Sequence, residues 1–289
     1  MTINTLIYEK HFPSEKLRMF IDYYWVAKDY SKTYKYHVLP NYLTYLIFNR
    51  SGQAMYHKTC NKSFRDISEL LQQPTIPIKS FVVRPHINYT MIETEKYLDV
   101  IGVHFNVIGA ALLNTTHYAQ PINSIEQNRD LNYLECQIRA AKTDKDCYMM
   151  LDEYFLARLT KTKLQIKTDT IQKIIEIETN TGVTNVAKLN DTLCLGERQT
   201  LRVFNNCVGV TPREYCRIKR FRTALHRLAT NTQDELKSLQ KIAEENGYSD
   251  LAHMVREFKH LSGLTPGYIA ASVDDIIFDK DNGLLLQNY

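Results

Sequence analysis

The chain has 289 residues, 44% hydrophobic and 24% charged, with a formal net charge of +4. This exceeds one ordinary core and suits about two domains of a soluble globular protein. No apolar run approaches the roughly 18–20 residues that span a bilayer, and the opening MTINTLIYEKHFPSEK carries acids and no continuous apolar stretch, so no signal peptide is expected and a cytoplasmic location is.

Up to about residue 135 the chain reads as mostly β. VLPNYLTYLIFNR (38–50) is rich in β-branched and aromatic residues and leaves through Asn49-Arg50-Ser51-Gly52. SFVVRPHINYTMIE (80–93) and YLDVIGVHFN (97–106) repeat the style, which predicts a sandwich or barrel-like sheet. Short helices are predicted at 66–72 and 108–114. His37, His57, His86 and His104 fall in or near these strands, with no HxH and no HExxH. They read as packed or surface histidines, the alternative being a metal centre of a cupin-like enzyme. Tyr34, Tyr36, Tyr42, Tyr45, Tyr89 and Tyr97 are strand packing or the lining of an aromatic pocket. The cysteines, Cys60, Cys136, Cys147, Cys194, Cys207 and Cys216, form no CxxC pair and read as reduced thiols.

From Asp144 the period changes. Tyr148, Leu151, Phe155 and Leu159 make one stripe of a long amphipathic helix, which could cap the sheet or pair with its copy in a second subunit. LTKTKLQIKTDT (159–170) reads as a linker, and residues 170–270 read as short helices throughout. The fold class is therefore α+β: a mostly β N-terminal domain with capping helices, then an all-α domain. The expected boundaries are 1–162, 163–271 and an acidic, apolar tail at 272–289.

FNNCVGVTPREY begins at Phe204 and FKHLSGLTPGYI at Phe258; Gly209/Gly263, Thr211/Thr265 and Pro212/Pro266 recur at the same offset, 258 − 204 = 54. Two copies at that period are a duplicated supersecondary unit. In the second, Leu239, Ile242 and Ala243 bury one helix, Gly247 turns the chain, Tyr248 plugs the corner, and Ser249 is the expected cap of the next helix. Met254, Val255 and Phe258 bury that helix, leaving Ala252, His253, Arg256 and Lys259 on its open face. This is a helix-turn-helix. The first copy is rougher: Gly196 stands at the cap position, and Arg198 and Arg202 share a face. Gly209 and Gly263 stop the second helices, and Pro212 and Pro266 open the following ones. Between the units, REYCRIKRFRTALHR (213–227) sets six basic residues against Glu214 and predicts a joining helix that meets a polyanion or carries its charges in water.

These residues resemble the AraC/XylS family of bacterial transcription regulators. IAEENGYSDLAHMVREFKHLSGLTP carries the likeness in Ile242, Ala243, Gly247, Tyr248, Phe258, Gly263 and Pro266. The resemblance implies seven helices in two helix-turn-helix units with a central linker helix. Base contacts would come from Arg198, Leu201 and Arg202 in the first unit and from Leu251, Ala252, His253 and Arg256 in the second. Lys259 would add to the DNA-binding face. Thr200 departs from the family's usual Leu. VLPNYLTYLIFN (38–49) and DVIGVHFNVIGAALLN (99–114) are similar to a sensor-type domain of one branch. The implied function is a sequence-specific DNA-binding regulator modulated by its N-terminal domain. Its expected partners are double-stranded DNA, a small-molecule effector, RNA polymerase in the case of an activator, and a second copy of the chain. No cofactor, bound metal or membrane partner is expected. No GxSxG or phosphate-loop motif appears, and no enzyme activity is expected. The alternative is a metal-dependent cupin-like enzyme domain tethered to a DNA-binding domain.

Overall fold

The computed structural model describes residues 7–29, 35–58, 74–94, 97–113, 122–161, 170, 173–175, 177, 185–230, 239–271, 276–279 and 284–287. The helix expected at 66–72 lies outside them, as do Cys60, Tyr34 and much of the 159–170 linker.

The strands of the N-terminal half are β1 (Ile7–His11), β2 (Ile21–Asp29), β3 (Lys35–Val38), β4 (Thr44–Asn49) and β5 (Met55–Lys58), followed by β6 (Ile76–Ile78), β7 (Phe81–Val83), β8 (Thr90–Thr94), β9 (Leu98–Phe105) and β10 (Ile122–Ser124). One sheet runs β1-β2-β9-β4-β7-β10, and all its pairs are antiparallel. In its centre Trp25 pairs with Gly102. A Cβ at 102 would stand 2.1 Å from the indole, so the glycine leaves the slot that the tryptophan fills.

Two expected strands are each divided. The 38–50 run breaks between β3 and β4, and the 80–93 run between β7 and β8, with the two pieces of each in different sheets. Pro40 and Pro85 sit at the breaks, where a missing N–H cannot serve a ladder. The two loops pair with each other: Asn41 N–H donates to His86 O at 3.0 Å, and His86 N–H to Asn41 O at 2.7 Å.

The 108–114 segment forms a 3₁₀ turn at Gly109–Leu113. Helix α1 (Arg129–Ala140), absent from the sequence reading, starts at Asn128, whose side chain accepts from Leu131 N–H. It buries Leu131, Leu134 and Ile138. Helix α2 (Asp144–Lys161) caps the sheet within its own chain. Phe155 meets Phe105 edge-on at 5.3 Å, and Asp152 accepts from Tyr24 Oη at 2.8 Å and from Ser14 N–H. Burial beside that carboxylate raises the Tyr24 phenol well above its ordinary pKa. Arg50 ties β4 to α2 through Asp99 at 2.5 Å and Asp144 at 2.7 Å.

The C-terminal half is helical between residues 185 and 271: α3 (Val186–Leu193), α4 (Glu197–Val203) continuing as a π-helical turn (Phe204–Val208), α5 (Pro212–Thr230), α6 (Leu239–Glu245), α7 (Leu251–Ser262) and α8 (Pro266–Ala271). The tail then turns back as a hairpin, β11 (Ile276–Asp279) and β12 (Leu284–Gln287). β12 pairs antiparallel with β3, Leu284 opposite Val38 and Gln287 opposite Lys35. The second sheet is thus β11-β12-β3-β8-β5-β6, built from both ends of the chain.

Candidate nucleic-acid interface

Each repeat folds as two short helices around a corner. In the second unit, α6 buries Ile242 and Ala243, Gly247 takes φ +78°, and Tyr248 is buried in the corner. The cap of α7 falls on Asp250 rather than on Ser249. The Asp250 carboxylate accepts His253 N–H at 2.6 Å, which holds its pKa below the ordinary range, and Ser249 Oγ supports it from 3.2 Å. A carboxylate is also the better group at the positive end of the helix.

In the first unit, the residue that leaves α3 is Cys194, at φ +53° the one non-glycine in the left-handed region among the described residues. Gly196 caps α4 without a side-chain bond. Thr200, where an apolar residue was expected, is fully buried and turns its hydroxyl back to Gly196 O at 3.3 Å. Both second helices end on the anticipated left-handed glycines, Gly209 at φ +87° and Gly263 at φ +75°. Pro212 and Pro266 open α5 and α8. Thr211 and Glu214 form a reciprocal capping box: Thr211 N–H donates to the Glu214 carboxylate at 2.8 Å, and Glu214 N–H to Thr211 Oγ1 at 3.3 Å.

On α4, Arg198, Leu201 and Arg202 are exposed; on α7, Ala252, Arg256 and Lys259 are. Two expected contact residues are partly withdrawn. Leu251 packs against the core of its own unit. His253 is half-buried, with its ring edge-on to Tyr248 at 5.4 Å and its Nδ1 3.1 Å from Ser249 Oγ.

The basic block on α5 behaves differently from either sequence reading. Arg217 Nε donates to Glu257 at 2.7 Å and Arg220 to the same carboxylate at 3.0 Å, the glutamate side chain being 5% exposed. Arg220 also lies 4.9 Å over the Tyr248 ring. Lys219 donates to Ile177 O, Arg222 faces the Tyr42 ring, and Arg227 pairs with Glu245 at 2.5 Å. Arg213 alone of the six is fully exposed. The block mainly fastens the joining helix to its neighbours. The signal was in the sequence as Glu257, an acid on the otherwise apolar face of α7, but its partners lie 40 and 37 residues away.

The β domain reaches both units. Tyr42 packs on Tyr215 at 4.8 Å, and Leu39 joins the core around Phe221 and Phe258. A Cβ at Gly209 would lie 3.4 Å from Pro85, and one at Gly263 would lie 2.9 Å from Tyr89 Oη. The paired loops therefore touch the exits of both second helices. His57, His86 and His104 are buried in the β domain, and among the described residues no cluster of three His, Cys, Asp or Glu is arranged to hold a metal. No helix among them is long and apolar enough to cross a membrane.

Residues 189–271 match the model of a helix-turn-helix domain family, and residues 9–124 match a family described as a domain of unknown function. No curated protein matches the chain. Among solved structures, ToxT from Vibrio cholerae O395 is similar at 14% identity over 92% of this chain and 98% of that one, with a TM-score of 0.43. Unsaturated fatty acid bound wild-type ToxT from Vibrio cholerae strain SCE256 is similar at 14% identity over 93% and 96%, with a TM-score of 0.42. With two helix-turn-helix units on one joining helix and the family match over the same residues, the C-terminal part of the chain is an AraC-type helix-turn-helix domain, the DNA-binding unit of a transcriptional regulator.

Proposed function

We propose that α4 and α7 enter successive major grooves of one duplex, and that the β domain modulates how well they do so. The observation that carries this reading is the rigid join. The 19 residues of α5 make a rod of about 28 Å at 1.5 Å per residue, close to the ~34 Å of one DNA turn. The rod is fixed along its length, by the Phe204–Tyr215 contact at 5.1 Å near its start, by Glu257 between Arg217 and Arg220 toward its middle, and by the Arg227–Glu245 pair near its end. Arg198, Arg202 and Arg256 are suited to guanine edges, and Leu201 and Ala252 to thymine methyls. Lys259 adds salt-dependent phosphate attraction. His253 and Leu251 serve as supports at the start of α7 as much as contacts. The modulating route is the pair of β-domain loops that packs on Tyr215, Gly209 and Gly263.

Selection from a random DNA pool should return two half-motifs about ten base pairs apart. Arg256→Ala should then lose about 1–3 kcal/mol of affinity and relax preference within one half-motif alone. Band-shift titrations showing unchanged affinity and unchanged preference would remove α7 from the interface.

A further inference from the structure

Away from the helical domain, a cavity of about 460 Å³ opens beside the β4–β5 turn. That volume lies within the usual range for small-molecule sites. Pro77 and Ile78 give it an apolar wall; Gln53, Lys79, Glu126 and Arg139 also line it. These side chains come from four separate places in the chain. Among the described residues, none of the three charged side chains has a salt bridge or hydrogen-bond partner, unlike the arginines of α5. Gln53 Oε1 is buried there and accepts no hydrogen bond. Buried acceptors are normally satisfied.

The framework is rigid. Asn49 Oδ1 accepts Ser51 N–H at 3.0 Å, and its Nδ2 donates to Gln53 O at 2.8 Å, which locks the turn around Gly52 at φ +74°. Below it, Asn49 N–H donates to Ser80 Oγ at 3.0 Å, and Ser80 Oγ donates to the buried Glu135 of α1 at 2.7 Å. The β6–β7 turn and the helix that supply Lys79 and Arg139 are thus held in fixed relation. Such preorganisation removes ordering entropy from the free energy of binding.

The chemistry of the lining selects its ligand. Two cations and one anion leave a net positive charge, and the complement is a molecule with two acidic groups and one ammonium. The ammonium meets Glu126; the acidic groups meet Lys79 and Arg139, the latter able to bind a carboxylate bidentately. We infer that this cavity is a binding site for a small acidic zwitterion of the acidic amino acid class. As an effector site it rests on the reading that the β domain modulates DNA binding; as a binding site it does not.

The test is isothermal titration of the full-length protein with L-glutamate, with succinate and L-lysine as comparisons. L-Glutamate should bind with one site per chain, and succinate and L-lysine at least tenfold more weakly. Lys79→Gln and Arg139→Gln should each weaken L-glutamate binding about tenfold or more. Both side chains are exposed, so the melting temperature of the unliganded variants should not move. No heat with L-glutamate, or equal binding by the variants, overturns the site. A band shift of pool-selected DNA with and without saturating L-glutamate, on the wild type and the double variant, separates the two claims. A shift in wild type alone supports both. Binding of L-glutamate without any change in DNA affinity keeps the site and overturns modulation through it.

Discussion

His86 shows how one residue reports on the junction of the two domains. It is 5% exposed, its Nδ1 lies 2.6 Å from Arg84 O, and its backbone pairs with Asn41. Burial pushes its pKa down to about 4, and the positive charge of Arg222 adds to the shift. In the unfolded chain the imidazole titrates near the ordinary 6.5. The unfolded state therefore binds the proton more readily, and stability falls as pH drops from about 6.5 toward 4. The loss is on the order of 3 kcal/mol when that range has been crossed. Denaturant titrations at pH 7 and pH 4.5 should show it, and His86→Gln should flatten the difference. An identical slope in the variant would assign the acid sensitivity elsewhere. Cys194 is a second residue-scale feature: a left-handed conformation that glycine would adopt freely, as Gly247 does in the second unit, is taken here by a residue with a side chain.

At the scale of elements, the orientation of α7 on α5 rests on one acid and two bases. Glu257 is nearly buried, whereas Arg217 and Arg220 keep 29% and 18% of their side chains exposed. Removing the acid leaves two cations facing a closed interface. Glu257→Ala should cost about 2–3 kcal/mol in global stability, below the range for fully buried pairs because the arginines retain some water. Chemical denaturation measures this directly; a loss under half a kcal/mol would show that apolar packing around Phe221 and Phe258 alone sets the helix crossing. The first unit is built otherwise. Among the described residues it has no such pair, α4 runs on into a π-helical turn, and its buried Leu189, Phe204 and Tyr215 are continuous with the core of the β domain. The two units thus differ in what holds them, although their stop signals are alike.

Across the whole molecule, the chain closes on itself. The hairpin β11–β12 leaves the helical domain and supplies the neighbour of β3 in the second sheet. The amide ladder along Lys35–Val38 is covered by residues almost at the other end of the sequence. Truncation after Ala271 should uncover that edge, lower the melting temperature by roughly 2–6 °C and promote association with increasing concentration, since a bare strand edge is a template for pairing. Light scattering and thermal unfolding of the shortened chain check both. A monodisperse variant with unchanged melting would mean that β3 needs no partner on that side.

The helical half was largely legible because its signals are local. Gly209, Gly247, Gly263, Pro212 and Pro266 mark turns whose geometry depends on the residues themselves, and Phe258, Met254 and Ile242 mark faces by spacing alone. The long helix at 144–161 followed from the same periodicity. Strand content was legible too, from apolar runs bounded by turn residues. Tertiary structure decided what depends on distant partners: the break of each long apolar run between two sheets, the fastening of the α5 arginines by Glu257, the cap at Asp250, and the return of the tail to β3. Strand pairing and buried ion pairs join residues far apart in sequence, and no local pattern specifies which groups will meet. The short helical punctuation could be read along the chain; the contacts that orient it came only with the fold.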